Sequence, residues 1–309
     1  ILIIRLGALG DLVLCFQAFH EIRRAHPKAE IALLTMPAFA DFARQMPWFD
    51  KVLIDERPSG WQPHKWIELL NTVKAFNPTR VYDLQGKRRQ SILYALLGSR
   101  FKGPEWSGAA PLCSHPRLWP PQDNMHYTDF VAAQLQRAGV PTQSAADVSW
   151  LDTSLDHFNL PPRFALFIPG CAPGRDYKRW PAQHYAILAR HFEGHGIACL
   201  AVGTAADADV IASIRAMTPS VIDLGGRTNL PQLASLARRS AITVGNDTGP
   251  THLAAAVGAP VLALMSDRVN AVWAVPRGPN VRWLQGKPLM TLSVDKVLLA
   301  LTDLLDRKN

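Results

Sequence analysis

The sequence predicts an α/β protein made of two doubly wound domains, each a parallel sheet covered by helices. Short apolar, β-branched runs alternate with amphipathic helical patterns along most of the chain, as is typical of parallel sheets. The chain has 309 residues, roughly twice the length of a typical domain of about 150 residues. The polar segment 151–163, with Pro-Pro near its end, separates two independent series of strands and helices.

The first series begins with the buried-strand pattern ILIIRL at residues 1–6. Alternating strand and helix patterns follow it, with the spacing of strand–helix units. The further predicted strands are 31–35, 51–54 and 80–83, and the predicted helices are 11–25, 38–45, 66–76, 90–97 and 127–138. The stretch 103–124 contains five prolines and is predicted to be a loop.

The second series begins at residue 164, so we predict domains over residues 1–155 and 156–309. Its predicted strands are 164–168, 197–202, 221–223, 241–244 and 261–264, and its predicted helices are 181–193, 206–217, 230–238 and 251–257. A final helix over about 293–305 could pack back on the first domain. Its apolar face would comprise Val297, Leu298, Leu301, Leu304 and Leu305. We expect the two domains to face each other across a cleft, with ligands at the carboxyl ends of the strands.

The composition excludes several classes of protein. With 48% hydrophobic and 19% charged residues, the chain is not a disordered polymer. No stretch approaches the roughly 20 apolar residues of a membrane span, and no signal peptide is expected before the first strand. Four cysteines lie far apart and form no CxxC pair, so neither a disulfide framework nor a zinc site is expected. We therefore expect a cytoplasmic protein.

The positive charge is concentrated in the second half of the chain. The formal net charge is +8, of which residues 1–160 contribute +2 and residues 161–309 contribute +6. Such an excess favours anionic partners, whether phosphates, nucleic acid or an acidic membrane surface. The charge alone does not choose among them.

The loop after the first strand, Gly7-Ala-Leu-Gly10-Asp11, opens a helix at the carboxyl edge of the sheet. Free backbone N–H groups and the helix dipole make this a place for an anion or a polar ligand. A dinucleotide is disfavoured because the third glycine of the fingerprint is absent and the second strand ends in Thr35-Met36 rather than in an acid. Asp11 is either a helix-capping acid or, at a cleft between domains, a general base.

Two loops of the second domain also precede helices. The sequence PGCAPGRDYKRWP places Arg175, Lys178 and Arg179 just before a helix, where cations are unfavourable unless an anion is bound. The sequence GNDTGPTHLAAAVG brings capping residues, a glycine and His252 to another helix start. A solvated basic loop and a structural histidine remain the alternatives. Two such loops in the more basic domain favour a diphosphate-linked ligand.

Four motifs together resemble one family. GALGD after the first strand, DLQG at 83–86, KRWP at 178–181 and NDTGPTHLAAAVG at 246–258 resemble the bacterial ADP-heptose:lipopolysaccharide heptosyltransferases, glycosyltransferase family 9. The resemblance covers essentially the whole chain in the right order. It implies a GT-B fold with two Rossmann-like domains, an N-terminal acceptor domain and a C-terminal nucleotide-sugar domain. It also implies an inverting transfer that uses no metal and no other cofactor.

The resemblance implies specific residue roles. Asp11 would be the general base, and Lys178 would stabilise the charge that grows on the β-phosphate as ADP leaves. The residues implied to bind the donor are Gly10, Arg175, Thr228, Asp247, Thr248, Gly249 and His252. Asp207 and Asp209 form a DxD string within a helical pattern, and we interpret them as a solvated face rather than a metal site.

A basic segment of the first domain is a candidate acceptor site. Between residues 80 and 117 the charge is +5, and Lys87, Arg88 and Arg89 precede a helix. An anionic glycolipid acceptor such as the lipopolysaccharide inner core would suit this segment, although an ordinary basic surface is an equal alternative. Peripheral contact with the cytoplasmic face of the inner membrane would follow. The candidate contact residues are Trp61, Trp66, Trp106 and Trp119.

Two other classes of function stay open. A GT-B-like sugar-nucleotide epimerase or hydrolase would use the donor site without an acceptor site. A non-catalytic protein that binds phosphate or polyanions would show steep salt dependence and no turnover. We expect no nucleic-acid partner, because no RRM, KH or helix-turn-helix signature is present.

Overall fold

The computed structural model describes residues 1–121 and 124–306. The chain divides into two compact units, Ile1–Trp150 and Leu151–Asn309, whereas the sequence placed the boundary at residue 155. Each unit is organised around its own parallel six-stranded sheet. Among the described residues, no helix is long and apolar enough to cross a membrane.

The first unit alternates strands and helices from its first residues. Its strands are β1 (Leu2–Ile4), β2 (Ala32–Thr35), β3 (Lys51–Ile54), β4 (Arg80–Asp83), β5 (Glu105–Gly108) and β6 (His115–Pro116). Its helices are α1 (Leu9–Val13), α2 (Phe16–Ala25), α3 (Pro37–Ala43), α4 (Pro63–Phe76), α5 (Arg88–Leu96) and α6 (Tyr127–Arg137). The strand order is β3-β2-β1-β4-β5-β6, so the order reverses between β1 and β4.

Two details of the first unit differ from the sequence prediction. The predicted loop 103–124 contains β5 and β6, which are too short to show an alternating apolar and polar pattern. β6 is the edge strand of the sheet and contains a proline, which edge strands tolerate. The predicted helix 11–25 is two helices that meet at Leu14 and Cys15.

The second unit repeats the same organisation. Its strands are β7 (Phe164–Ile168), β8 (Ala198–Ala201), β9 (Ile222–Asp223), β10 (Ile242–Asn246), β11 (Val261–Ser266) and β12 (Val281–Gly286). Its helices are α7 (Ala182–Glu193), α8 (Ala208–Met217), α9 (Leu230–Arg239), α10 (Gly249–Ala256), α11 (Ala271–Ala274) and α12 (Val294–Asp306). The order is β12-β11-β10-β7-β8-β9, with the reversal between β7 and β10. The sequence prediction missed β12 and α11.

The apolar face of α12 packs within its own unit. Val294, Val297, Leu301 and Leu304 are buried in the core of the second unit, with Leu298 packed against it. The expectation that this helix could pack back on the first domain stays a prediction. The side chain of Leu305 lies outside the described residues. The apolar face of α12 therefore completes the fold of its own unit.

The central strands are buried on both faces, as helices on both sides of a parallel sheet require. β1 is wholly inaccessible, and every residue of β7, β10 and β11 is buried. Loops that follow neighbouring strands meet at the carboxyl edge, and the crevice where the strand order reverses is the usual ligand site. In the first unit this edge carries the loops after β1 and β4, and in the second it carries the loops after β7 and β10.

Candidate active site

The loop after β1 requires glycine at its first position. Gly7 has φ +125°, and a Cβ there would lie 2.2 Å from the ring of Phe39. The loop leads into α1, whose first turn contains Gly10 and Asp11. Asp11 Oδ2 accepts the backbone N–H of Ala8 at 3.0 Å, so the predicted capping interaction exists. The side chain nevertheless stays 48% exposed, which leaves the carboxylate open to a ligand.

A buried arginine holds the other oxygen of Asp11. Arg5, which is 5% exposed, places Nη2 3.0 Å from Asp11 Oδ1. Its Nη1 donates to the hydroxyl of Tyr127 at 2.6 Å and to the carbonyl of Leu84 at 2.7 Å, and the Tyr127 hydroxyl donates to the same carbonyl at 2.9 Å. Burial alone would lower the pKa of Arg5, but the neighbouring Tyr127, Cys15 and Asp11 raise it. Arg5 is therefore a permanent cation that orients Asp11.

The loop after β4 contributes a second carboxylate that has a different role. Asp83 is 1% exposed, and its Oδ1 accepts the backbone N–H groups of Gly86 and Gln85 at 2.8 and 3.1 Å. Burial raises the pKa of Asp83, whereas these hydrogen bonds and the charge of Arg117 lower it; burial has the larger effect, and the pKa is about 6. Because Asp83 is enclosed and Asp11 is half-exposed, Asp11 is the carboxylate that an acceptor could reach.

The predicted trio of basic residues before α5 does not act as one group. Arg89 is paired with the buried Asp55 through Nη2–Oδ1 at 2.6 Å and Nε–Oδ2 at 3.1 Å, and it donates to the carbonyl of Pro58 at 2.9 Å. Its guanidinium therefore joins the loop after β3 to α5 instead of facing a ligand. Lys87 and Arg88 are exposed, so the predicted acceptor site rests on these two residues.

The tryptophans named as candidate contacts separate into two groups. Trp61 and Trp119 are 95% and 70% exposed, as expected for surface contacts. The expectation for Trp106 is wrong, because this side chain is fully buried in the core of the first unit. Trp66 lies beneath Arg89, whose guanidinium carbon is 4.1 Å from the ring centre.

In the second unit, a buried asparagine joins the two loops at the strand reversal. Asn246, at the end of β10, donates from Nδ2 to the carbonyls of Pro169 and Gly170 at 2.7 and 3.2 Å. Its Oδ1 accepts the backbone N–H of Trp180 at 3.1 Å. Thr248 is the N-cap of α10, which begins at Gly249, two residues earlier than predicted. The free N–H groups of this helix start therefore lie at the carboxyl edge.

Lys178, Asp247 and His252 form a polar cluster at that edge. Lys178 Nζ lies 2.6 Å from Asp247 Oδ2, and His252 Nε2 lies 3.3 Å from Asp247 Oδ1. Asp247 is 4% exposed and His252 is 6% exposed. Burial would raise the pKa of Asp247, but the hydrogen bond from His252 and the charge of Lys178 together lower it. Asp247 therefore holds Lys178 in place as a carboxylate.

Two other residues that were predicted to bind the donor lie in separate loops. Arg175 is exposed in the loop after β7, and its Nη1 donates to the hydroxyl of Tyr177 at 3.0 Å. Thr228 is half-buried and directly precedes Asn229, the N-cap of α9. It follows β9, two strands from β7 along the same edge.

Asp207 lies after β8, and the sequence-based interpretation of this residue was wrong. It is not part of a solvated face, because it is only 7% exposed; Asp209 is exposed as expected. Asp207 Oδ2 accepts hydrogen bonds from the backbone N–H and the hydroxyl of Thr204, both at 2.9 Å. Its Oδ1 is buried without a partner among the described residues and faces Gly170, where a Cβ would lie 2.2 Å away. The Thr-x-x-Asp spacing of a capping box was the signal for this loop.

Comparisons with known proteins agree with the motifs. The model of the family "Glycosyltransferase family 9 (heptosyltransferase)" matches residues 66–284. A lipooligosaccharide heptosyltransferase 2 of Haemophilus influenzae is 38% identical over 105 residues, which are 31% of this chain and 30% of the relative. The lipopolysaccharide core heptosyltransferase OpsX of the same organism is 25% identical over 279 residues, covering 85% of this chain and 77% of the relative.

A solved structure shares the fold. The E. coli heptosyltransferase WaaC with ADP-2-deoxy-2-fluoro heptose superposes with a TM-score of 0.75 at 19% identity, covering 98% of both chains. The predicted family resemblance and the predicted α/β class with a GT-B fold are thereby confirmed.

Proposed function

The chain belongs to glycosyltransferase family 9, the heptosyltransferase family, and on that premise we propose that it transfers a heptosyl residue from ADP-heptose to the inner core of lipopolysaccharide. We propose inversion at the anomeric carbon and no metal ion. The observation that carries the proposal is the placement of a half-exposed carboxylate, Asp11, and a positioned cation, Lys178, each at the strand reversal of its own sheet. The names of the relatives and the ligand of WaaC support the donor and the acceptor class.

Asp11 is the general base in this proposal. The acceptor hydroxyl oxygen attacks the anomeric carbon from the face opposite the leaving group, and its proton passes to the Asp11 carboxylate. The bond from the anomeric carbon to the phosphate oxygen breaks, and ADP leaves with the electron pair. Arg5 keeps one carboxylate oxygen occupied at 3.0 Å, so the carboxylate is held in one orientation.

Lys178 and the start of α10 stabilise the departing diphosphate. Two contacts of Lys178 Nζ go to Asp247, through Oδ2 at 2.6 Å and the main-chain oxygen at 3.3 Å, which leaves one N–H for a phosphate oxygen. The backbone N–H groups at Thr248 and Gly249 add dipoles of the same sign. This positive charge takes the role that a metal has in other transferases. His252 and Asp247 act by holding Lys178.

Further residues are proposed to contact the donor. Arg175 supplies an exposed cation, and Thr228 lines the nucleotide pocket. Gly10 lets the donor approach the backbone of α1.

Lys87 and Arg88 bind the anionic acceptor in this proposal. Both are exposed at the start of α5, directly after the loop that follows β4. That loop is joined to the Asp11 loop, because Gln85 Oε1 accepts the N–H of Leu6 at 3.0 Å. A lipid-anchored acceptor would place the protein at the cytoplasmic face of the inner membrane.

We expect ADP release from ADP-heptose that depends on a heptose-deficient lipopolysaccharide acceptor and persists in EDTA. Product analysis by mass spectrometry measures the transferred heptosyl group. Acceptor-independent release of free sugar would instead identify a hydrolase, and a changed sugar nucleotide without ADP release would identify an epimerase. Loss of turnover on chelation, restored by a divalent cation, would contradict the metal-free mechanism.

Removing the Tyr127 hydroxyl should lower kcat without weakening donor binding. In Tyr127→Phe, Arg5 loses the 2.6 Å contact that fixes it beside Asp11. Because Arg5 then orients the Asp11 carboxylate less firmly, we expect a fall in kcat of about tenfold, which corresponds to about 1.4 kcal/mol in the barrier. Steady-state kinetics and donor titration measure the two quantities.

A second buried tyrosine of the same unit provides the control. Tyr94 is 4% exposed, and its hydroxyl donates to the carbonyl of Leu112 at 3.1 Å. Tyr94→Phe should lower the melting temperature while leaving kcat unchanged. Equal losses of kcat in both variants would assign the effect to general destabilisation.

A further inference from the structure

The outward face of α5 carries apolar side chains that the core does not use. The helix buries Gln90, Leu93 and Tyr94, whereas Ile92 and Leu96 are 44% and 45% exposed. These two residues are four positions apart, so they lie on the same face of the helix. The exposed Arg88 lies four positions before Ile92 and extends the same stripe.

The turn after α5 adds the most exposed phenylalanine side chain of this region. The backbone N–H groups of Phe101 and Gly103 both donate to the carbonyl of Gly98 at 2.9 Å, so the turn has a defined conformation. Phe101 is 84% exposed, with the guanidinium carbon of Arg100 5.7 Å from its ring centre. The phenylalanine therefore projects beside a cation at the end of the helix.

The charges around these apolar side chains have one sign. Residues 87–102 include five basic residues and no acidic residue. Arg89 faces inward to Asp55, and the other four are exposed. We name the exposed stripe and turn the α5 surface; it consists of Arg88, Ile92, Leu96, Arg100, Phe101 and Lys102.

We propose that the α5 surface binds an anionic phospholipid bilayer. Basic side chains are attracted to anionic headgroups, and exposed apolar side chains enter the boundary between headgroups and acyl chains. A nucleic acid or an acidic protein would use the charges but would leave Ile92, Leu96 and Phe101 in water. Binding to a bilayer would use both the basic and the apolar side chains of the α5 surface.

The position of the surface connects it to transfer, and in this respect the inference rests on the proposed function. α5 begins directly after the loop that follows β4. In that loop, the carbonyl of Leu84 accepts a hydrogen bond from Arg5, and Arg5 in turn pairs with Asp11. Docking through α5 would bring a bilayer alongside the edge where a lipid-anchored acceptor is proposed to bind. Binding to the bilayer itself requires no transfer.

Vesicle sedimentation of the full chain tests the surface. We expect partition onto vesicles of phosphatidylcholine with about 30% phosphatidylglycerol to exceed partition onto phosphatidylcholine alone and to fall with added salt. Arg100→Gln/Lys102→Gln should lower partition about 25-fold, about fivefold for each charge. Ile92→Ser/Leu96→Ser/Phe101→Ser should lower it at least about tenfold at fixed salt.

A matched change on another exposed helix face is the control. In α12, Leu299 is 76% exposed and Lys296 is exposed, so Leu299→Ser/Lys296→Gln removes the same residue types elsewhere. This variant should partition like the wild type. Equal losses in the control, or an apolar triple variant that partitions like the wild type, would overturn the proposal. Charge variants that lose heparin binding while the apolar variant keeps vesicle binding would indicate a polyanion site.

Two acceptors separate docking from catalysis. With a water-soluble, deacylated acceptor, the α5 variants should turn over as fast as the wild type. With the same acceptor acylated and embedded in anionic vesicles, they should be slower by about the factor of their lost partition. If the protein transfers no sugar but still binds vesicles through α5, the proposed function fails and the docking surface stands.

Discussion

Asp11→Asn is expected to abolish most turnover while leaving the protein folded and able to bind donor. The amide keeps an oxygen for the N–H of Ala8, which Asp11 Oδ2 now accepts at 3.0 Å, but it cannot take a proton from the acceptor hydroxyl. General-base catalysis contributes about 10²–10⁴-fold, so we expect kcat to fall by about that factor. Single-turnover kinetics with saturating donor and acceptor measure the chemical step.

Asp50→Asn is a closely matched control for this substitution. Asp50 is 47% exposed, pairs with Arg23 and accepts the backbone N–H of Ile31 at 2.7 Å, which are the same kinds of contact that Asp11 makes. It lies before β3, at the opposite edge of the same sheet. Asp50→Asn should therefore cost similar stability and no turnover. An Asp11→Asn enzyme with near wild-type kcat would remove Asp11 from the role of base.

Lys178→Met is expected to reduce kcat/KM by about 10²–10³-fold, the usual effect of removing one group that stabilises a developing anion. The substitution also removes the lysine partner of the Asp247 carboxylate, whose side chain is 4% exposed. Breaking a buried ion pair in this way costs about 3–5 kcal/mol of folding stability. Thermal melts and kinetics must therefore be measured on the same variant.

The double variant Lys178→Met/Asp247→Asn separates the two effects. It contains no unpaired buried charge at this site, so its stability should recover toward that of the wild type, whereas its kcat/KM should stay low. Asp247→Asn alone keeps the cation and should lose less activity than Lys178→Met. A stable double variant with wild-type kinetics would show that Lys178 serves only to neutralise Asp247.

Much of the architecture is determined by local sequence. Short apolar runs such as Leu2–Ile4 and Phe164–Ile168 are typical of central strands, and the helices between successive strands favour parallel pairing with crossovers. The short elements β5, β6 and α11 were missed because two to four residues carry no periodicity. β12 was missed although it is a six-residue strand; half-buried side chains give it a weaker pattern than the central strands have.

The sequence also predicted some features of the candidate site and missed others. The positions of Asp11 and Lys178 follow from sequence, because strand ends and helix starts fall at the carboxyl edge of a parallel sheet. Which charges pair with which is a property of tertiary structure. Arg89 was expected to face an acceptor, but its guanidinium pairs with the carboxylate of Asp55, which is 34 residues away in sequence.

The sequence by itself therefore determined the class of fold, the family and the edges where chemistry can occur. Only the tertiary structure decided that Asp83 is enclosed, that Asp11 is held by Arg5 and Tyr127, and that Asp207 is buried. The physical reason is that strand and helix patterns depend on neighbours within a few residues. Burial and charge pairing depend on groups that approach only when distant segments pack together, and the interaction of charges changes steeply with both distance and solvent exposure.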